Sequence, residues 1–271
     1  MEQDTRRTHA SISTLAAPTS CGAREMLNKV PEITIFFWII KVLATTVGET
    51  AADFLNINLN LGLTGTTLIM SGLLITTLFF QFRLNRYVPG IYWLAVVMIS
   101  VVGTLITDNL VDNFGVPLEV TTILFAIALA ITFVLWYYNE KTLSIHSIFT
   151  SKREAFYWLA ILFTFALGTA AGDLTAEGLS LGYWKSALVF GAMIALVTIA
   201  FHRFKLNAIG AFWIAYILTR PLGASLGDFL AQPQDNGGLA LGNIITSGLF
   251  LATILSLVIF LTLTKRDRIA E

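Results

Sequence analysis

The sequence predicts an all-α polytopic membrane protein with eight transmembrane helices, formed by four parallel two-helix repeats. Of its 271 residues, 56% are hydrophobic and 13% are charged, and the mean hydropathy is +0.75. A soluble domain of this length does not need so much apolar sequence, whereas a protein with many membrane spans does. Eight apolar segments, each long enough to cross a bilayer, follow one another from about residue 33 to about residue 263.

A three-residue pattern recurs four times along the chain. In each copy a tryptophan is followed ten residues later by a glycine and five residues after that by an aspartate. The copies are Trp38, Gly48 and Asp53; Trp93, Gly103 and Asp108; Trp158, Gly168 and Asp173; and Trp213, Gly223 and Asp228. Chance does not account for four copies with one spacing, so the chain contains an internal repeat, and that repeat decides the architecture.

Each repeat supplies two helices joined by short connections. The predicted helices lie at about 33–52, 60–80, 90–107, 118–138, 155–172, 183–202, 208–227 and 240–263. Pro31, Pro89 and Pro117 lie at or near helix starts, where a missing N–H costs little. The predicted repeats are about 31–82, 88–138, 153–204 and 208–264, within a transmembrane domain at 29–265.

Two segments fall outside the regular pattern. Residues 1–28 are polar and rich in Ser, Thr and Ala, and they predict a disordered cytoplasmic tail. In the fourth repeat the second helix begins five residues later than in the others. The polar run Gln232–Asn236 accounts for this delay, and we expect it to form an insertion confined to a loop.

The basic residues predict the orientation of the chain. Lysines and arginines precede the first helix, occupy the second, fourth and sixth connections and follow the last helix, whereas the opposite side carries only Lys185. By the positive-inside rule, both termini are expected in the cytoplasm. Because each repeat has two helices, all four cross the membrane in the same direction, and an axis along the membrane normal relates them.

Within each repeat the tryptophan and the aspartate are expected near opposite faces of the membrane, since fifteen helical residues rise about 22 Å. In one interpretation the tryptophans form an aromatic belt and the aspartates end their spans. In the other, the aspartates share an interior axis, where carboxylates at helix C-termini need a cation or a base. Such oxygen-rich sites suit Mg²⁺, Ca²⁺ or Mn²⁺. The candidate metal ligands are Asp53, Asp108, Asp173 and Asp228.

Three further charged residues lie inside the predicted spans. Glu49 lies one turn before Asp53 on the same helix face. Lys41 lies one turn after Trp38, from where its ammonium can extend back to the interface. An arginine near mid-bilayer, such as Arg220, costs at least ~2.5–3.5 kcal/mol unless it is paired. We therefore expect Arg220 to pair with Glu49 or Asp53, and a bound cation to compete with it for the carboxylate.

The residues around these charges leave alternatives open. The repeated glycines, Gly48, Gly103, Gly168 and Gly223, favour close helix packing, although they can also open the backbone to a ligand. Pro221 directly follows Arg220, which predicts a kink or a break in the seventh helix. Hydroxyls on the same faces, among them Thr45, Thr104 and Thr169, can line a polar pathway or bond to backbone carbonyls.

The composition also argues against several classes of protein. The single cysteine, Cys21, allows neither a disulfide framework nor a thiolate metal site. The three histidines lie in connections or at a helix end, so an intramembrane haem is excluded. The dispersed basic residues do not suggest nucleic-acid binding. Without an intramembrane histidine or a Gly-x-Ser-x-Gly motif, we expect no enzyme activity and no cofactor beyond a bound divalent cation.

The residues that carry the repeat also carry a resemblance. The stretch KVPEITIFFWIIKVLATTVGETAADFL, at residues 29–55, resembles a family of bacterial inner-membrane proteins with four tandem two-helix repeats, each marked by a tryptophan. The resemblance extends to about residue 265. It implies a multi-pass protein of the bacterial inner membrane, but no activity, because the repeat is one of unknown function.

The charged residues point to transport. We expect a transporter or channel-like protein that moves a small, divalent cation through an acid-lined pathway between the repeats. The pathway candidates are Lys41, Glu49, Asp53, Asp108, Asp173, Arg220 and Asp228. The alternatives are a proton-coupled transporter of another small solute and a non-transporting scaffold or accessory protein. The expected partners are the lipid bilayer and a small cation or solute, and the sequence does not determine the oligomeric state.

Overall fold

The computed structural model describes residues 28–58 and 61–267, and it describes side chains at 28–56 and 61–267. The predicted N-terminal tail, apart from Asn28, lies outside the described residues. Within those ranges all regular secondary structure is helical, and eight helices are long and apolar enough to cross a membrane. The predicted all-α fold with eight membrane-spanning helices is confirmed.

The spanning helices are α1 (Ile35–Asp53), α2 (Leu63–Arg83), α3 (Pro89–Asp108), α4 (Leu118–Glu140), α5 (Ser151–Asp173), α6 (Tyr183–Phe204), α7 (Ala208–Ala231) and α8 (Asn243–Thr264). Glycines with φ of 69°, 77° and 78° precede α2, α6 and α8, a backbone conformation that favours glycine. Pro117 takes the corresponding position before α4. The insertion in the fourth repeat forms an exposed 3₁₀ turn at Gln234–Asn236, between α7 and α8.

The repeated aspartates do not end their spans, contrary to one of the two interpretations above. After the aspartate, α1, α3 and α5 continue as π-helical turns at Phe54–Asn58, Asn109–Asn113 and Leu174–Gly178. In the fourth repeat α7 stays α-helical to Ala231, three residues beyond Asp228. The helices continue because carbonyls after the aspartates accept hydrogen bonds from amides five residues further along. The amide of Leu179, for example, donates to the carbonyl of Leu174 at 2.8 Å.

The first helices of the four repeats form an inner ring. In this ring α1 packs against α3, α3 against α5, α5 against α7, and α7 against α1. Each second helix lies outside the ring and packs mainly on the inner helix of the next repeat, so that α8 closes the circle on α1. Between 61% and 72% of the spanning residues are buried in the inner helices, against 11–28% in the outer ones. The four repeats thus surround one central axis.

The repeated glycines allow the inner helices to approach one another closely. A Cβ atom built on any of the four would collide with a residue that lies seven positions after the tryptophan of the neighbouring repeat. The pairs are Gly48 with Ser100, Gly103 with Phe165, Gly168 with Arg220, and Gly223 with Thr45. The same contact therefore occurs four times around the ring, which supports the packing interpretation of these glycines.

The repeated tryptophans do not form a lipid-facing belt. We call the end of the ring where they lie the tryptophan end, and the opposite end the aspartate end. Trp93, Trp158 and Trp213 are buried, and only Trp38 is partly exposed. They pack in an aromatic layer with Tyr92, Tyr157, Phe37, Phe212 and Tyr216. The belt interpretation fails because inner helices point these side chains at one another, away from lipid.

Segments that flank the helices are held against the tryptophan end. The buried ammonium of Lys29 lies 2.6 Å from a carboxylate oxygen of Glu154 on α5. Near the other end of the chain, Asp267 accepts hydrogen bonds from the hydroxyl of Tyr87 at 2.6 Å and from the amide of Glu32 at 3.0 Å. Burial, together with the Asp267 carboxylate, raises the pKa of Tyr87, so its hydroxyl stays protonated and donates. The folded unit therefore includes Lys29 at one end and Asp267 at the other.

Candidate ion site on the central axis

Arg220 extends from the middle of α7 and contacts all three other inner helices. Its side chain is completely buried. Its Nη2 atom has three acceptors for its two hydrogens: Glu49 Oε2 at 2.9 Å, Thr169 Oγ1 at 2.7 Å, and Thr104 Oγ1. Its Nη1 atom donates to the carbonyl of Thr45 at 3.3 Å. Of the two predicted partners of Arg220, Glu49 forms the ion pair, and no pair with Asp53 is found among the described residues.

The three side chains that bind Nη2 occupy equivalent positions. Glu49, Thr104 and Thr169 each lie eleven residues after the tryptophan of their repeat. In the fourth repeat that position is Ala224, one turn after Arg220 on the same helix. The guanidinium of Arg220 thus bonds to this position in each of the other three repeats.

The local sequence explains how α7 carries this arginine. Gly168 on α5 has no side chain, and the aliphatic part of Arg220 occupies the space that its Cβ would take. The predicted break at Pro221 is wrong, because α7 runs without interruption from Ala208 to Ala231. Threonine hydroxyls bind carbonyls in this turn: Thr219 donates to the Tyr216 carbonyl at 2.7 Å, and Thr45 to the Thr219 carbonyl at 3.3 Å. These hydroxyls bond to carbonyls near that of Ile217, the one that loses its helical amide partner at Pro221.

Three carboxylates converge on the aspartate side of the guanidinium. Oxygen atoms of Glu49, Asp173 and Asp228 all lie within 4.8 Å of one another. Two oxygens that bind the same Mg²⁺ or Ca²⁺ ion are at most about 4–5 Å apart, given metal–oxygen distances of about 2.0–2.6 Å. The three groups are therefore close enough to bind a single hard cation.

The environment of Asp228 makes this cluster unusual. Asp228 is 8% exposed, and no donor bonds to its carboxylate within the part of the chain that the structure describes, although the oxygens keep a small accessible surface. Burying an ionised carboxylate without a partner is costly, so such a group takes up a proton or binds a cation. The buried, unpartnered Asp228 is therefore a second indication of a ligand, in addition to the clustering itself.

The group of clustered acids differs from the predicted one. The sequence suggested Asp53, Asp108, Asp173 and Asp228 as metal ligands, but the structure brings two of these together with Glu49. Asp53 and Asp108 are half-buried outside this group, although both lie close enough to Glu49 for their charges to repel its carboxylate. Glu49 joins the cluster because it lies one turn deeper and has a longer side chain than an aspartate.

Lys41 lies on the tryptophan side of Arg220 and does not extend to the interface. Its side chain is completely buried. Its ammonium nitrogen lies 4.1 Å from the ring centroid of Phe165 and 4.2 Å from that of Tyr216. The expected extension to the membrane surface is wrong, because the aromatic layer of the tryptophan end separates Lys41 from that surface.

Sequence reasoning missed the role of Phe165 and Tyr216, the two rings that contact Lys41. Within their own segments nothing distinguishes them from other apolar or aromatic residues of a span. The repeat alignment carries a signal, since Phe165 occupies the position of Arg220 and Tyr216 occupies that of Lys41. The positions three and seven residues after the tryptophans therefore carry both the basic residues of the axis and the rings that contact them.

A family model described as Repeat of Unknown Function (DUF347) matches residues 36–87, 91–142, 156–207 and 211–267. The chain belongs to this family. The four matches follow the four helix pairs, and the longest contains the inserted turn Gln234–Asn236. No curated protein and no solved structure matches the chain significantly. Family membership confirms the predicted repeat resemblance and assigns no activity.

Proposed function

We propose that this multi-pass membrane protein is a transporter or channel-like protein for a small, divalent cation. The observation that carries the proposal is the convergence of Glu49, Asp173 and Asp228 on the axis of the ring, with oxygens within 4.8 Å of one another. Hard divalent ions prefer carboxylate oxygens, and acid-lined axes select cations by charge. The cation would bind the three carboxylates directly.

The balance of charge favours an ion at this position. Five carboxylates, those of Glu49 and the four repeated aspartates, lie around the aspartate half of the axis, and Arg220 supplies one positive charge. Carboxylates that share a site repel one another unless a proton or a cation lies between them. A divalent ion would offset more of this repulsion than the single guanidinium does.

A bound cation would compete with Arg220 for the carboxylate of Glu49, so ion binding would affect the position of the guanidinium on the axis. The guanidinium of Arg220 occupies the axis, so an ion that moves towards the tryptophan end has to displace it. A cation bound by Glu49 would weaken the 2.9 Å ion pair, because the carboxylate would share its charge between two cations. Thr104 and Thr169 would still accept hydrogen bonds from the guanidinium during this exchange.

The expected orientation determines the side from which the ion arrives. If the basic residues mark the cytoplasmic side, the aspartate end faces outwards and the aromatic layer closes the cytoplasmic end. In the bacterial inner membrane, the proposed location, a cation would then reach the acid cluster from the outside. The fluxes measured in the two directions across vesicles of known orientation test this assignment.

Flux measurements on reconstituted protein test the transport proposal. Proteoliposomes that contain a dye sensitive to divalent ions are mixed with Mn²⁺, Mg²⁺ or Ca²⁺, and the initial rate is recorded. We expect Asp228→Asn and Asp173→Asn to reduce the rate about tenfold or more, since loss of groups that hold a metal costs this much affinity. Asp235→Asn is the matched control, because it removes an exposed aspartate from the loop after α7. Asp235→Asn should transport normally.

A second measurement separates binding from movement. Titration of Mn²⁺ into purified protein should show saturable binding that Asp228→Asn weakens and Asp235→Asn does not. The proposal fails if none of the three ions is bound or moved by the unaltered protein. It also fails if the two cluster variants bind and transport as well as the control.

The same acids favour one alternative, a proton-coupled transporter of another small solute. A carboxylate without a donor, such as that of Asp228, can carry a proton in place of a metal ion. Acidification of vesicles in the absence of any divalent ion would favour this alternative. Proton movement that requires Mn²⁺ would favour exchange of the cation itself.

A further inference from the structure

We propose a second site, on the tryptophan side of Arg220, where Lys41, Tyr216 and Arg220 bind a small monovalent anion. This site prefers anions, whereas the carboxylate cluster prefers cations. The site involves none of the carboxylates discussed above and does not depend on cation transport. Its ligand class is that of chloride or bromide, compact ions with one charge. The inference rests on buried donors that lack acceptors and on the distribution of charge along the axis.

Three buried donor groups in this region lack an acceptor. They are the ammonium nitrogen of Lys41, the hydroxyl of Tyr216 and the Nε atom of Arg220, none of which has a hydrogen-bond partner among the described residues. All three side chains are completely buried. Buried donors almost always have a partner, so three unpartnered donors in one region indicate an acceptor that the protein itself does not supply.

Lys41 lies against two rings, that of Phe165, which also lies near Arg220, and that of Tyr216. The ammonium nitrogen of Lys41 lies 4.1 Å from the ring centroid of Phe165, and the guanidinium carbon of Arg220 lies 5.6 Å from the same centroid. Lys41 also lies 4.2 Å from the ring centroid of Tyr216, the residue that carries the free hydroxyl. Both basic groups thus lie within about 6 Å of the Phe165 ring centroid, where two positive charges repel each other. A negative ion between them would relieve that repulsion.

The protein places no carboxylate at this level of the inner ring. The two layers that contain Lys41 and Arg220 lie three and seven residues after each tryptophan. Their members are Lys41, Val96, Ile161 and Tyr216 in one layer, and Thr45, Ser100, Phe165 and Arg220 in the other. Glu49 and the four repeated aspartates all lie beyond Arg220, towards the aspartate end. Glu154, on α5 at the tryptophan end, is paired with Lys29. The carboxylates at the repeat positions thus lie in the aspartate half of the axis, and Lys41 and Arg220 lie on the other side of them.

A small anion fits this half better than other ligands. It would accept hydrogen bonds from the ammonium, the hydroxyl and the guanidinium at once, and charge-assisted bonds of this kind are the stronger ones. A metal cation would be repelled by both Lys41 and Arg220. A neutral apolar ligand would leave all three donors without a partner.

Thermal unfolding of the purified full-length protein tests the site. Melting temperatures are compared in sodium chloride, sodium bromide and sodium gluconate at equal ionic strength, because gluconate is too large to enter a compact buried site. We expect chloride and bromide to raise the melting temperature saturably by a few degrees relative to gluconate, since a ligand that binds the folded state stabilises it. Equal melting temperatures in the three salts would overturn the proposal.

Variants identify where the anion binds. Lys41→Met should abolish the dependence on chloride, whereas Lys185→Met, which removes an exposed lysine at the start of α6, should keep it. If Lys41→Met does not fold, Tyr216→Phe removes only the hydroxyl and should weaken chloride binding severalfold. A chloride effect of unchanged size in Lys41→Met or Tyr216→Phe would contradict the assignment. Asp228→Asn should retain the chloride effect, so failure of the cation site leaves this test intact.

Discussion

The fourth repeat and the other three have the same backbone plan but place different side chains on the axis. All four have the tryptophan, the close-packed glycine and the aspartate at the same spacing. Seven residues after the tryptophan, the first three repeats have Thr45, Ser100 and Phe165, and the fourth has Arg220. Eleven residues after it, they have Glu49, Thr104 and Thr169, and the fourth has Ala224.

This difference separates residues that form the scaffold from residues that form the site. The repeated glycines make the same inter-helix contact four times, so they specify the ring. At the level of the guanidinium the repeats differ: the first has Glu49 where the second and third have Thr104 and Thr169 and the fourth has Ala224. One arginine in the fourth repeat and one glutamate in the first give a pair that a symmetric ring cannot provide. The chemistry of the axis therefore depends on the divergence of the repeats.

The largest expected effect comes from removal of the charge that is specific to the fourth repeat. Arg220→Met leaves Glu49 buried without its partner, and we expect a loss of about 3–5 kcal/mol in the free energy of unfolding, as for other broken buried pairs. Denaturation of the purified protein in detergent measures this loss. Arg83→Met, at the exposed end of α2, is the control and should change stability by less than about 0.5 kcal/mol.

A double variant sharpens the same comparison. Glu49→Gln combined with Arg220→Met removes both charges, so it should recover a large part of the stability that Arg220→Met loses. If the single and the double variant lose the same free energy of unfolding, Arg220 does not stabilise the protein through its ion pair with Glu49. In the double variant the first repeat has an uncharged polar side chain at position 49, and the second and third repeats have the uncharged Thr104 and Thr169 at the equivalent position.

A smaller effect is expected from a change to the scaffold that all four repeats share. In Gly168→Ala the new Cβ would overlap the side chain of Arg220 and lie 3.0 Å from Pro221 Cδ. Overpacking of this kind typically costs about 1–3 kcal/mol. Gly72→Ala on the outer helix α2 is the matched control, because nothing lies within 4 Å of its Cβ position. It should be neutral, or stabilise the helix by about 0.5–1 kcal/mol.

The smallest effect concerns one hydrogen bond to the arginine. Thr169→Val keeps the shape of the side chain and removes the 2.7 Å bond from Arg220, which should cost about 0.6–1.5 kcal/mol. Thr198→Val on α6 removes only an exposed hydroxyl that bonds to its own helix at Ile194. If both variants lose the same stability, Thr169 contributes nothing specific to the axis.

The number and type of the helices were predictable because they depend on local properties. Hydropathy over about twenty residues identified each span, and the repeat spacing identified the pairs. The pairing of Arg220 with Glu49 was also predictable, because a mid-bilayer arginine needs an acid and Glu49 lies at a similar depth. The continuation of the helices past Asp53 and past Pro221 was not predictable. It depends on hydrogen bonds that cannot be predicted from the identity of single residues.

The partners of the axial side chains could not be predicted from single repeats. Neither the burial of Lys41 between Phe165 and Tyr216 nor the position of Trp93 away from lipid is visible in the local sequence. Both follow from ring closure, which turns the same face of four separate helices inwards. The convergence of Asp173 and Asp228 with Glu49, without Asp53 and Asp108, depends on side-chain length and depth within that ring.

The amino-acid sequence by itself determined that this is an eight-helix membrane protein with four tandem repeats, because length, apolarity and spacing act within each segment. Only the tertiary structure decided which helices touch, that each outer helix packs on the next repeat, and that one arginine bonds to three repeats at once. Such contacts join residues 51 to 171 positions apart, and they depend on how whole helices pack around the ring.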